Sequence, residues 1–257
     1  MDILKKLFVF TPSAKPEKFE LSDECKPDFD VRDEKEIKKT YVSGDIEENL
    51  AYIRKNYSVP LNNDVVIREI ITRNNKRAFV VFFEGMVSSQ FVDEYIIKAI
   101  IELAYENEGD FDENLYMRFT AHAQVKVKSD MDDVKDEVNF GSCALFVDGV
   151  NKCFVYDVKN WEHRGIDKPE NEQSLYGPQE AFGEMLRTNT ALVRKILKTE
   201  KLVAYGIQVG SVSKTPGVLL YIDGLTNEKL VGEAKRRISA IDKEYILSIE
   251  QVQLLVE

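Results

Sequence analysis

Apolar residues return at Ile46, Leu50, Ile53 and Tyr57, an i, i+4, i+7 spacing that puts them on one stripe of a helix capped by Ser43 or Asp45. Val65 to Ile71 and Arg77 to Phe83 are β-branched and aromatic runs around Asn74 and Asn75, which predicts an antiparallel hairpin. Helical spacing resumes through Phe91, Tyr95, Ile96, Ala99, Ile100 and Leu103, and an acidic, Gly-containing stretch from Glu106 to Glu113 closes it as a boundary loop. A strand at Ala123 to Lys128, a helix near Asp132 to Val138 and strands at Ala144 to Val147 and Lys152 to Asp157 then start a second sheet. After a polar connection, Pro178 opens a helical region reaching about Leu197, since proline at a helix start loses no hydrogen bond. Strands at Leu202 to Gln208 and Val218 to Ile222, a helix from Asn227 to Ala240 and a last helix from Leu247 to Leu255 follow.

Strands and helices intermixed in this way predict an α/β fold. The expected architecture is two small mixed-sheet α/β subdomains in tandem, residues 41–120 and 121–257. Ahead of them, residues 1–40 are expected to be a flexible tail, because Thr11 to Thr40 is mostly charged and its apolar residues have no period.

Three segments echo one another: Val80 to Met86, Leu145 to Val150 and Leu220 to Leu225 each read as apolar strand, acid, glycine, apolar residue. Their acids, Glu84, Asp148 and Asp223, are candidate site residues, because ligands of open α/β sheets gather at strand ends and carboxylates hold Mg²⁺ or exchange protons. The simpler reading is favoured. Glycine allows the turn that leaves a strand, and an acid ahead of a helix suits the helix dipole without any ligand.

Composition narrows the classes further. The 257 residues carry 45 acidic against 35 basic side chains, a formal net charge of −10 that repels a phosphate backbone, so no nucleic-acid partner is expected. No apolar run approaches the ~20 residues that span a bilayer. Cys25, Cys143 and Cys153 lack CxxC spacing and fit a reducing compartment; Cys143 and Cys153 bracket a hairpin and can face each other, although packing is the favoured role. His122 and His163 have no partner at i+3 or i+4, so no metal is expected, and the strong nucleotide and hydrolase motifs are missing, so neither a cofactor nor catalysis is expected.

The richest segment runs from Gly177 to Lys195. Phe182, Met185, Leu186, Val193, Ile196 and Leu197 form an apolar face that also carries Asn189, and Glu180, Glu184 and Arg187 stand at ion-pair spacing. Asn189 is expected to bond neighbouring backbone, and Arg187 to bridge Glu180 and Glu184 or a loop acid such as Glu170 or Glu172. This segment resembles the N-terminal soluble domain of the spore germinant receptor A-subunit family (GerA type). The run GP.E.F.E.LRTN..L.R+ is matched by Gly177, Pro178, Glu180, Phe182, Glu184, Leu186, Arg187, Thr188, Asn189, Leu192, Arg194 and Lys195. Arg164, Ile166, Pro169, Glu170 and Glu172 resemble its R.I..PE.E lead-in, and Gly210, Ser213, Lys214, Thr215, Tyr221, Ile222 and Gly224 its G..SKT and YI.G segment. Tyr176, Ile196, Ser211 and Val212 stand where that family carries basic residues.

The resemblance covers about Ile46 to Glu257 and implies a non-enzymatic role. An A subunit acts with B and C subunits and other A subunits in the inner spore membrane, where nutrient binding is converted into ion release that starts germination. It implies a channel-type oligomeric component whose soluble part faces the spore core. The family continues into a membrane-spanning region, so the chain is expected to be a soluble piece of a longer protein. Read without the resemblance, two other classes stay open: a small-molecule sensor with its ligand between two subdomains, and a cytosolic carboxylate-dependent enzyme.

Overall fold

A computed structural model describes residues 39–73, 75–102, 124–160 and 180–256. Helix α1 (Ile46–Asn56) is capped by Asp45, whose carboxylate accepts from Glu47 N, and it buries Ile46, Leu50 and Ile53 as its spacing requires. Strands β1 (Val65–Ile71) and β2 (Arg77–Phe83) form the expected hairpin in register Val65↔Phe83 to Ile71↔Arg77. Next comes α2, a continuous helical stretch of three pieces: Ser89–Phe91, a wider i→i+5 turn at Val92–Ile97, and Lys98–Glu102. Strand β3 (Val125–Lys128), helix α3 (Met131–Asn139) and strands β4 (Cys143–Val147) and β5 (Cys153–Tyr156) follow.

These five strands make one antiparallel sheet in the order β1-β2-β4-β5-β3. Antiparallel sheets commonly leave one face to water, but here both are covered. Phe79, Val81 and Phe83 of β2 point to one side with Ala144, Phe146, Cys153 and Val155, under α1 and α3. Ala78, Val80 and Phe82 point to the other with Cys143, Leu145, Val147, Phe154 and Tyr156, under α2. Burial on both faces is why β2 is apolar at every position after Arg77 instead of alternating. Phe79 and Phe146 stack across the β2–β4 pair with ring centroids 4.6 Å apart. The outer strand β1 is exposed along its middle, where Glu69 holds both Arg54 and Arg77, charges that discourage another strand from pairing there.

The second sheet is the hairpin β6 (Leu202–Val209) and β7 (Thr215–Ile222), followed by α5 (Glu228–Ser239) and α6 (Ile249–Val256). Lys235 of α5 lies over the Tyr205 ring at 3.7 Å and near that of Tyr221, laying the helix along one face of the hairpin.

The fold is mixed α/β with two sheets, but the division at 120/121 needs correcting. Strands from either side of it join through β2 and β4, and Lys38–Glu257 forms one compact unit; the change of sheet falls between β5 and β6. Strand pairing uses backbone groups common to all residues, so side-chain pattern located the strands without telling which would be neighbours. The expected tail lies outside the described residues except at its end, where Thr40 O accepts from Met131 N. The acidic loop at 106–113, Cys25, His122, His163, Gly177 and Pro178 also lie outside them.

Candidate functional site

Helix α4 (Leu186–Ile196) carries the LRTN segment. It begins at Leu186, later than the Pro178 start expected, so Glu180 and Glu184 precede the helix and make no ladder along it. Met185, at the N-cap position, makes no capping bond. Asn189 supplies the substitute from inside the helix: its Nδ2 donates to Gly183 O and its Oδ1 accepts from Gly183 N, both at 2.8 Å. The amide thus binds neighbouring backbone, as expected, and fixes how the chain enters α4. Thr190 Oγ1 donates to Leu186 O at 2.8 Å, and so spends its hydroxyl within the helix.

The expected apolar face of this segment is overturned. Phe182, Met185, Ile196 and Leu197 are exposed, whereas the buried residues of α4 are Thr190, Ala191 and Arg194. A polar face can be buried because what it meets is polar and aromatic. Arg194 is 2% exposed; its Nε donates to Asp64 Oδ2 at 2.6 Å and its Nη2 to Asp64 Oδ1 at 2.8 Å, a two-bond fork matched to the carboxylate. Nη2 also reaches Leu202 O at 2.9 Å and Asn62 Oδ1 at 3.2 Å. The guanidinium carbon lies 3.8 Å from the centre of the Phe83 ring, a cation–π contact in a dry setting. Nη1 is buried without a hydrogen-bond partner.

Arg194 is therefore the hub between the two sheets: Phe83 ends β2 and Asp64 directly precedes β1 of the first, and Leu202 begins β6 of the second. The segment Asn62–Asp64 strengthens the junction by serving as a partner for the free edge of β6. Asn62 Oδ1 accepts from Ala204 N at 2.9 Å, Asn62 Nδ2 donates to Leu202 O at 3.2 Å, and Asn63 N donates to Ala204 O at 2.9 Å. Asn63 Oδ1 also accepts from Gly206 N at 3.1 Å.

Arg187 pairs with Glu84, not with Glu180 or Glu184, and Glu180 is held by Lys195 at 2.5 Å. Glu84 so acquires a role that its strand-end position did not reveal: it anchors the first turn of α4. Gly85 beside it has φ +85°, and a Cβ there would meet Arg187 O at 3.2 Å, so this turn needs glycine both for its backbone and for the close approach of the helix. Gly149 and Gly224 have φ +84° and +76°, so the three echoes share a left-handed turn.

The three acids do not converge. Antiparallel pairing of β2 with β4 puts Asp148 beside Arg77 at the start of β2, while Glu84 follows its end. Asp223 instead sits across from Ser58, at 3.5 Å. Among the described residues no three His, Cys, Asp or Glu side chains are grouped to hold a metal ion. Cys143 and Cys153 do not face each other: Cys143 stands opposite Tyr156 under α2, and Cys153 lies on the other face of the sheet. Burial pushes both thiols well up, away from the reactive thiolate.

The site is thus a clamp: a short motif helix bound beside the five-stranded sheet by two guanidinium–carboxylate pairs and to β6 by the Arg194–Leu202 bond, with Phe182, Met185, Ile196 and Leu197 left on the outside. It is part of a mixed α/β domain in which charged and amide side chains join elements far apart in the chain. Residues 51–257 match the family described as Bacillus/Clostridium GerA spore germination protein, and the chain belongs to that family. The uncharacterized membrane protein YfkQ of Bacillus subtilis (strain 168) is 30% identical over 195 residues, 76% of this chain and 38% of that protein. Spore germination protein KA of the same organism is 27% identical over 218 residues, 84% of this chain and 40% of that protein. The chain thus spans about two fifths of the length of these curated relatives. The crystal structure of the N-terminal domain of the A subunit of the Bacillus megaterium spore germinant receptor GerK3 is similar, with a TM-score of 0.57 and 26% identity, covering 79% of this chain and 74% of that one. Among the described residues no helix is long and apolar enough to cross a membrane.

Proposed function

We propose that this chain is the N-terminal soluble domain of a germinant receptor A subunit, contributing to receptor assembly and to the signal that turns nutrient binding into ion release. Its partners in this reading are B and C subunits and further A subunits, with the domain on the core side of the inner spore membrane. Catalysis has no part in it. The observation that carries the reading is the placement of residues 180–196, whose Arg187 and Arg194 tie helix α4 to Glu84, Asp64 and Leu202 while Phe182, Met185 and Ile196 stay exposed for contacts with a partner.

The test uses the parent gene with its B and C partners in receptor-null spores. Arg187→Glu places like charges at Glu84 and is expected to lower nutrient-triggered germination at matched receptor abundance, with a smaller effect on domain melting. The double change Arg187→Glu with Glu84→Arg should restore germination. Normal germination in the single variant at normal abundance would defeat the proposal.

A second reading, a small-molecule sensor, rests on Arg194 Nη1, a buried donor without a partner where the two sheets meet. Amino acids, sugars and nucleosides tested by thermal shift decide it, since a ligand at 100 Kd adds about 2.7 kcal/mol. No shift from any of them would remove this reading.

A further inference from the structure

The Gly210, Ser213, Lys214 and Thr215 positions have no part in the α4 clamp, yet they build the turn between β6 and β7 in an unusual way. The turn points its bonds away from the hairpin, onto residues 243–246 of the connection between α5 and α6. Ser211 N donates to Lys243 O at 2.9 Å, and Val212 N and Ser213 N both donate to Glu244 O at 3.0 Å. Ser213 Oγ accepts from Ile246 N at 3.3 Å, and Thr215 Oγ1 donates to Ile246 O at 2.7 Å. Gly210 has φ +90°, and a Cβ there would collide with Ser213 Oγ and lie 3.2 Å from Glu244 O. Lys214 also takes a left-handed conformation, φ +45°.

These bonds hold a segment that little else secures. Ile246 is 4% exposed between Tyr245 at 60% and Leu247 at 83%. Helix α6, which begins three residues later, buries no residue of its own. Beyond the clasp, Arg237 fastens its end by donating to Val256 O at 2.8 Å. At the far end of the hairpin, Leu202 and Ala204 are bound by Arg194 and Asn62. Strand β6 runs from there to the clasp, about 23 Å at ~3.3 Å per residue.

We propose that the Gly210–Thr215 turn is a clasp through which the β6–β7 hairpin sets the position of α6, so that the hairpin links the Arg194 hub to α6 as one lever. The hydroxyls of Ser213 and Thr215 and the bare Cα of Gly210 are its working parts. The proposal is independent of what the whole protein binds.

Hydrogen–deuterium exchange of the full chain tests it. Thr215→Val should raise exchange in residues 243–256 at least tenfold while α1 and β2 keep wild-type rates, and Thr215→Ser, which keeps the hydroxyl, should restore protection. Unchanged exchange at 243–256 in Thr215→Val, or an equal rise throughout the five-stranded sheet, would overturn the clasp, as would failure of Thr215→Ser to rescue. For the lever, Asn62→Ala should loosen 202–215 and 243–256 together; Asn63→Ala serves if Asn62→Ala does not fold. Loosening of 202–209 with wild-type protection at 243–256 would overturn it.

Discussion

Asp64→Ala tests the energetic logic of the hub directly. The substitution removes both oxygens that pair with Arg194, leaving a guanidinium that is 2% exposed with only Leu202 O, Asn62 Oδ1 and the Phe83 ring as company. Breaking a buried ion pair from one side costs about 3–5 kcal/mol, because the surviving charge stays desolvated without compensation. The two remaining acceptors and the aromatic face offset part of that loss, so the expected cost is about 3 kcal/mol, near the lower end of that range. For a unit of this size, that lowers Tm by about 6–12 °C. Urea unfolding followed by circular dichroism measures the cost, with an unchanged slope showing that the native state stays compact. Adding Arg194→Met removes the stranded charge and should recover part of the loss, since an apolar pair of similar volume often replaces a buried ion pair without penalty. A cost below about 1 kcal/mol for Asp64→Ala, the size of one ordinary hydrogen bond, would refute the reasoning. A double variant as unstable as the sum of the two single ones would refute it equally.

Asn189→Leu leaves Gly183 N and O unpaired and should cost about 1–3 kcal/mol, read by thermal melting; a wild-type Tm would show that solvent takes over those bonds. Cys143 and Cys153 should resist a thiol reagent until the chain unfolds, because both are buried, and should form no disulfide with each other under mild oxidation, because they lie on opposite faces of one sheet; rapid labelling at either of these two positions in the folded Cys25→Ser chain would contradict this burial. Bonds from Arg236 and Arg237 hold the Glu233 carboxyl down to about 2 from its ordinary 4.5, so the stabilisation it gives α5 is present above about pH 4.5 and is lost as pH falls towards 2. A carboxyl titration of Glu233 by NMR with a midpoint near 4.5 would reject that pairing.

The chain's own pattern determined much of the local structure. The bounds of β1 and β2 follow from β-branched and aromatic runs, α1 from its stripe and the Asp45 cap, and the three left-handed turns from acid–glycine pairs. These elements answer to rotamers, caps and backbone sterics that act within a few residues, so sequence reading reached them. The family was legible as well, because its residues recur as a linear run around Arg187, Thr188 and Asn189. Tertiary structure alone decided what lies far apart in the chain. That β2 pairs with β4 rather than closing a separate subdomain depends on backbone bonds that carry no residue label. That Arg194 is buried while Phe182 and Ile196 are exposed depends on Asp64, 130 residues away, bringing a carboxylate to the face of α4. Hydropathy ranks a side chain against water, whereas the burial of a charge is decided by whether its partner arrives with it.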